Sequence, residues 1–115
     1  MPMEKGESMR TLRFIVKGQT ISLDPQCDFK GLIPGTEGYL EAEFSFSKEW
    51  ESCIKVVAFF SNLGREYEPQ VLNRRNVCII PQEALANRIF KVQVVGKKDN
   101  YTLRTNRIAV RQEGR

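Results

Sequence analysis

From Tyr39 to Phe46 the chain alternates: Leu40, Ala42, Phe44 and Phe46 are apolar, and Tyr39, Glu41, Glu43 and Ser45 stand between them. A period of two puts every second side chain on one face of an extended backbone, so this stretch predicts a strand with one buried and one wet face. The same patterning recurs along the chain. Residues 12–16 and 19–23 flank Lys17-Gly18, where glycine supplies the positive φ of a tight hairpin. Residues 53–60 form an apolar run without clean alternation, as expected of a central strand covered on both sides.

Turn chemistry punctuates the rest. Asp24-Pro25 ends the opening hairpin, and residues 26–38, with Gly31, Pro34, Gly35 and Gly38, read as a long connection that crosses between sheets. Ser47-Lys-Glu is a polar corner, and Trp50 just after it is expected to plug one end of the core. Ser61-Asn-Leu-Gly64 and Asn73-Arg-Arg-Asn76 are turns, and Pro69 makes residues 65–72 an edge strand or a bulge. Residues 77–80 and 90–95 are further strands. Pro81 followed by Gln-Glu-Ala-Leu-Ala-Asn predicts a short helix over residues 81–87. Gly96-Lys-Lys-Asp-Asn100 reads as the hairpin turn into residues 101–110, where Tyr101 and Leu103 share one parity and Ile108 and Val110 the other. Burying both pairs requires a bulge near Thr105-Asn106.

Seven or eight short strands at this spacing predict an all-β fold, a two-layer antiparallel sandwich, or a partly closed barrel, with one short helix near residues 81–87. A chain of 115 residues holds one core, so residues 11–112 are expected to be a single domain behind a flexible extension of residues 1–10. Trp50, Phe44, Phe46 and Phe90 are its expected core aromatics. No apolar run is long enough to cross a bilayer as a helix, and the polar N-terminus does not resemble a signal peptide, so the expected location is the cytoplasm.

Histidine is absent from the sequence, which removes the commonest general base and metal ligand. No nucleophile elbow or phosphate-binding glycine loop occurs. The three cysteines, Cys27, Cys53 and Cys78, lack zinc-ligand spacing, and Cys53 and Cys78 lie in apolar runs as small buried side chains. Glu41 with Glu43, and Glu49 with Glu51, could form carboxylate pairs, but the simpler reading is a solvated strand face. Asp24 and Asp28 offer a weak calcium set. The expectation is a protein without catalytic activity, metal or cofactor.

Charge is placed unevenly. From Lys97 onward six basic residues oppose two acidic ones, so the whole net charge of +4 lies in that stretch. Arg104, Arg107 and Arg111, with Lys97 and Lys98, are therefore the candidate contact patch for a partner. Basic residues there are not interleaved with aromatics, which argues against nucleic acid, and no membrane partner is expected. Tyr39, Tyr67 and Tyr101 could stack on sugars but read more simply as half-buried strand tyrosines.

The order Val16-Lys-Gly-Gln-x-Ile21, Gly35-Thr-Glu-Gly-Tyr-Leu40, Phe44-x-Phe-Ser-x-Glu-Trp50, Lys55-Val-Val-Ala-x-Phe60, Ile80-Pro-x-Glu-Ala-Leu85 and Thr105-Asn106 resembles small β-sandwich proteins of bacteriophages and prophages of Gram-positive gut bacteria. Those are similar to the N-terminal modules of tail or baseplate proteins. The resemblance implies a virion structural or adaptor protein that binds copies of itself or other phage proteins, expressed in the host cytoplasm and carried in the virion. A second expectation in the same setting is a small inhibitor of a bacterial immune system, whose partner is a host defence protein.

Overall fold

The computed structural model describes residues 9–113. Nine strands form two packed sheets: β1 (Arg10–Lys17), β2 (Thr20–Leu23), β3 (Leu40–Phe46), β4 (Ile54–Ser61), β5 (Gln70–Val71), β6 (Val77–Ile79), β7 (Ile89–Lys98), β8 (Tyr101–Arg104) and β9 (Ile108–Arg111). A single α-helical turn, α1 (Gln82–Leu85), lies between β6 and β7, and Lys48–Trp50 forms a 3-10 turn. The first sheet runs β2-β1-β3-β6, and the second runs β5-β4-β7-β8 with β9 also on β7. This is the all-β sandwich that the alternation predicts. The expected N-terminal extension lies outside the described residues up to Ser8, while Arg10 already opens β1. No helix among the described residues is long and apolar enough to cross a membrane.

One pairing is not antiparallel: β1 and β3 run parallel, from Arg10 opposite Leu40 to Val16 opposite Phe46. The cause is the long connection after β2. Leu23 ends opposite Phe14, so the chain leaves β2 near the start of β1 and has only to pass that end to enter β3. Arg10 holds the connection there, donating to the carbonyls of Asp28 (2.8 Å) and Lys30 (2.7 Å). The connection therefore begins and ends in the first sheet, contrary to the expected crossing, although its middle bonds Leu85 and Glu113 across the end of the sandwich. The chain first crosses at the corner between β3 and β4, where Ser47 N–H still donates to the Val16 carbonyl, and crosses again from β5 to β6 and from β6 to β7.

Inward residues of the first sheet (Leu12, Phe14, Val16, Leu40, Ala42, Phe44) meet Val57, Phe59, Phe90, Val92, Val94 and Val110 of the second. An aromatic file crosses this layer from Phe14 through Phe44 and Phe46 to Trp50, with successive ring centroids 5.1, 6.2 and 5.3 Å apart. Trp50 is fully buried at the end of the core and donates its indole N–H to the Gly18 carbonyl at 2.8 Å. Phe46, expected in the core, is only half-buried, because it stands at the open end where Lys55 Nζ lies 5.2 Å from its ring. Gly96 is not a turn residue. It lies within β7 because a Cβ there would sit 2.6 Å from the Trp50 ring.

The helix is shorter than expected, four residues rather than seven. Asn87 ends it by donating its side-chain amide to the carbonyls of Glu83 and Ala84. The edge segment contracts likewise: around Pro69 the ladder reduces to β5 and an isolated bridge of Glu66 to Phe60.

The required bulge is present. Val95 faces Arg104, yet Val92 faces Ile108, so Gln93 and Val94 oppose three residues, Thr105, Asn106 and Arg107. Thr105 closes the gap, donating its N–H to the Val94 carbonyl and accepting the Val94 N–H on Oγ1. Leu103, Ile108 and Val110 thereby all pack on the core.

Candidate protein-binding face

Strand register assigns the outer face of the second sheet. One row runs Val71, Val56, Val95, Arg104, the next Ile54, Lys97, Thr102, and on the far side Phe60, Lys91, Ala109, followed by Ile89 and Arg111. β4, β7, β8 and β9 contain no carboxylate and bring Lys91, Lys97, Arg104 and Arg111 to this face, while Glu66, bridged to Phe60, stands at its β4 side. An apolar stripe runs through it. Ile54 and Val71 are 67% and 66% exposed, and Val56 and Val95 are half-buried. Beside the stripe a depression of about 350 Å³ is lined by Ile54, Lys55, Val71 and Arg74 among others, again with no carboxylate.

Arg107 joins this face from the bulge. Its guanidinium carbon lies 3.7 Å from the centre of the Phe60 ring, which is 3% exposed. The expected patch thus divides: Lys97, Arg104, Arg107 and Arg111 share the face, but Lys98 does not. Lys98 pairs with Tyr101 at the end of the sandwich, donates to the Glu51 carbonyl and lies over the Tyr101 ring. Lys91, Phe60 and the stripe escape a reading by charge alone. Their signal was the missing alternation in residues 53–60, since both faces of β4 are apolar: Val57 and Phe59 inward, Ile54, Val56, Ala58 and Phe60 outward.

The remaining candidates occupy separate places. Glu41 and Glu43 lie on the outer face of the first sheet, where Glu41 accepts the Thr11 hydroxyl and Glu43 pairs with Arg13 at 3.3 Å. Glu49 is held below the usual carboxylate range by a hydrogen bond from Ser47 and one from its own backbone N–H. Asp24 and Asp28 each accept a backbone N–H two residues ahead, closing turns. Among the described residues no group of three potential metal ligands occurs. Cys27, Cys53 and Cys78 are free, and burial, then the charge of Glu41, pushes the Cys78 thiol up to about 12. The tyrosines do not converge. Tyr39 is beside Arg10 at the start of β1, Tyr101 donates its hydroxyl to the Glu49 carbonyl at the other end, and Tyr67 packs on the core.

The edges of the first sheet are occupied by asparagines. Asn106 accepts the Ile21 N–H at 2.8 Å and donates to the Ile21 carbonyl, covering β2. Asn73 does the same for β6, its side chain accepting and its N–H donating to Val77. The chain matches no protein-family model, no curated protein and no solved structure.

Proposed function

We propose that this chain is a protein-binding module of the virion structural or adaptor kind, which acts without a catalytic step through the outer face of its second sheet. The carrying observation is that one sheet face presents exposed Ile54 and Val71 and five cations, Lys91, Lys97, Arg104, Arg107 and Arg111, against a single carboxylate, Glu66. Exposed apolar area on a sheet face is unfavourable in water unless something covers it, and the excess of cations selects what does. The virion setting comes from the motif resemblance, and the face supplies the manner of attachment.

Capture from infected host cells tests both parts. The parent chain should retain a tail or baseplate protein, and the triple variant Arg104→Glu, Arg107→Glu, Arg111→Glu should lose it while melting within a few degrees of the parent. Retention of a host nuclease or signalling enzyme would replace the adaptor role by inhibition of host defence. Undiminished capture by the folded triple variant would remove the face from consideration.

A further inference from the structure

We propose that Arg107, laid flat on Phe60, is a preformed carboxylate anchor, and that the occupant of this face is an acidic protein segment bearing apolar side chains. This rests on the reading of the outer face of the second sheet as the binding face. The bulge places Arg107 one residue out of register, so its side chain leaves the sheet edge and crosses β7 to reach β4. A guanidinium stacked on a ring offers its N–H donors around its rim, in the fork that matches a carboxylate. The one salt bridge among the described residues joins Arg13 to Glu43 on the opposite face, so Arg107 is in none, although Glu66 stands across from Phe60 on its own face. Stacking has already restricted the side chain, which lowers the entropy lost when a ligand is gripped.

Three features select the occupant. Lys91 and Arg111 lie near the anchor and Arg104 and Lys97 farther along the same face, so two copies meeting by this face would oppose cation to cation. The outer face of the first sheet is no better a partner, because its Glu43 is already paired with Arg13 and its Glu41 accepts the Thr11 hydroxyl. Nucleic acid would want exposed rings for base stacking, whereas the exposed apolar groups here are the aliphatic Ile54 and Val71, and Phe60 is covered. The depression beside Ile54 and Val71 takes one apolar side chain. Phe60 lies four to six residues along β4 from Val56 and Ile54, roughly 13–20 Å at strand rise. An extended segment with a carboxylate and a large apolar residue four to six positions apart spans that distance.

The test is an NMR titration of the isotopically labelled full chain with the acetylated, amidated peptide Leu-Ser-Val-Ser-Glu-Ser-Glu-Gly, whose apolar and acidic residues stand four and six apart on one face of an extended segment. Its glutamine counterpart, a twelve-nucleotide oligothymidylate and dilution of the protein alone serve as controls. Expected are saturable shifts at the Arg107 side-chain N–H and across β4 and β7, with the glutamine peptide at least tenfold weaker. Arg107→Lys, which keeps the charge but loses the fork, should weaken binding at least fivefold, and Arg111→Lys less than twofold. Equal losses in the two lysine variants would overturn the anchor while leaving the face in place. Shifts confined to the first sheet, or none that saturate, would overturn face and anchor together. Tighter binding of the oligonucleotide, or shifts at the face that vanish on dilution alone, would replace the acidic segment by nucleic acid or by a second copy.

Discussion

Gly96→Ala is the sharpest probe of how this sandwich closes. A Cβ at that position would stand 2.6 and 2.7 Å from two carbons of the Trp50 ring, about 1 Å inside the usual carbon–carbon separation. The indole has little room to retreat. The Phe46 ring lies beside it at 5.3 Å, and its N–H is bonded to the Gly18 carbonyl at 2.8 Å. Overpacking of this kind costs about 1–3 kcal/mol, and tearing the indole from Gly18 adds roughly 1 kcal/mol. Alanine also restricts the unfolded chain, which returns about 0.4–1 kcal/mol. The net expectation is a loss of about 1–3.5 kcal/mol, read as a lowered urea midpoint with unchanged slope, followed by tryptophan fluorescence and circular dichroism. Trp50→Phe removes the atoms that clash, so Gly96→Ala should cost far less in that background. Stability of Gly96→Ala within about 0.5 kcal/mol of the parent, or additivity of the two changes, would refute the placement of Trp50 against β7.

Two other perturbations address the edge and the core. Asn106→Ala leaves the buried Ile21 N–H without its acceptor and should cost about 1–3 kcal/mol; sedimentation should show concentration-dependent association through the bared β2 edge, and a stable monomer would contradict the edge role. Cys78 is pushed up from an ordinary thiol value near 9.0 to about 12, so the folded state favours the protonated thiol. Its contribution is complete below pH 9 and declines between pH 9 and 12, at no more than about 1.4 kcal/mol per pH unit, as the unfolded chain loses the proton first. Cys78→Ala should flatten stability over that window, and an unaltered slope would contradict it.

Much of the architecture was legible because it is local. Alternation in residues 40–46, the glycine at the first hairpin and the parity reversal between Leu103 and Ile108 each follow from a few neighbouring side chains. They reappear as β3, the turn at Gly18 and the bulge at Thr105–Arg107. The parallel pairing of β1 with β3 was not legible, because it depends on which end of the sheet the long connection passes, and only Arg10 binding Asp28 and Lys30 reveals that. Gly96 misled for a related reason. Next to Lys-Lys-Asp-Asn it has the composition of a turn, while its actual constraint is an indole distant in sequence. At the candidate site, counting charge found the arginines, but Phe60 and Lys91 became visible only when register set them beside Arg107.

The bulge serves both sheets at once. An uninterrupted ladder from Tyr101 to Arg111 would leave the β2 edge open. The extra residue instead turns Asn106 toward Ile21 and Arg107 toward Phe60, so adjacent residues close one sheet and arm the face of the other. With Asn73 on Val77, both edges of the first sheet have backbone groups taken by side chains, and on the second sheet β5 is two residues long beside Pro69. Strands added at an edge need an unbroken row of free N–H and carbonyl groups, which these devices interrupt. The outer face of the second sheet keeps its exposed aliphatic stripe and its cations. On the proposed reading, attachment by this face needs no strand exchange and leaves each copy a closed unit before and after its partner arrives.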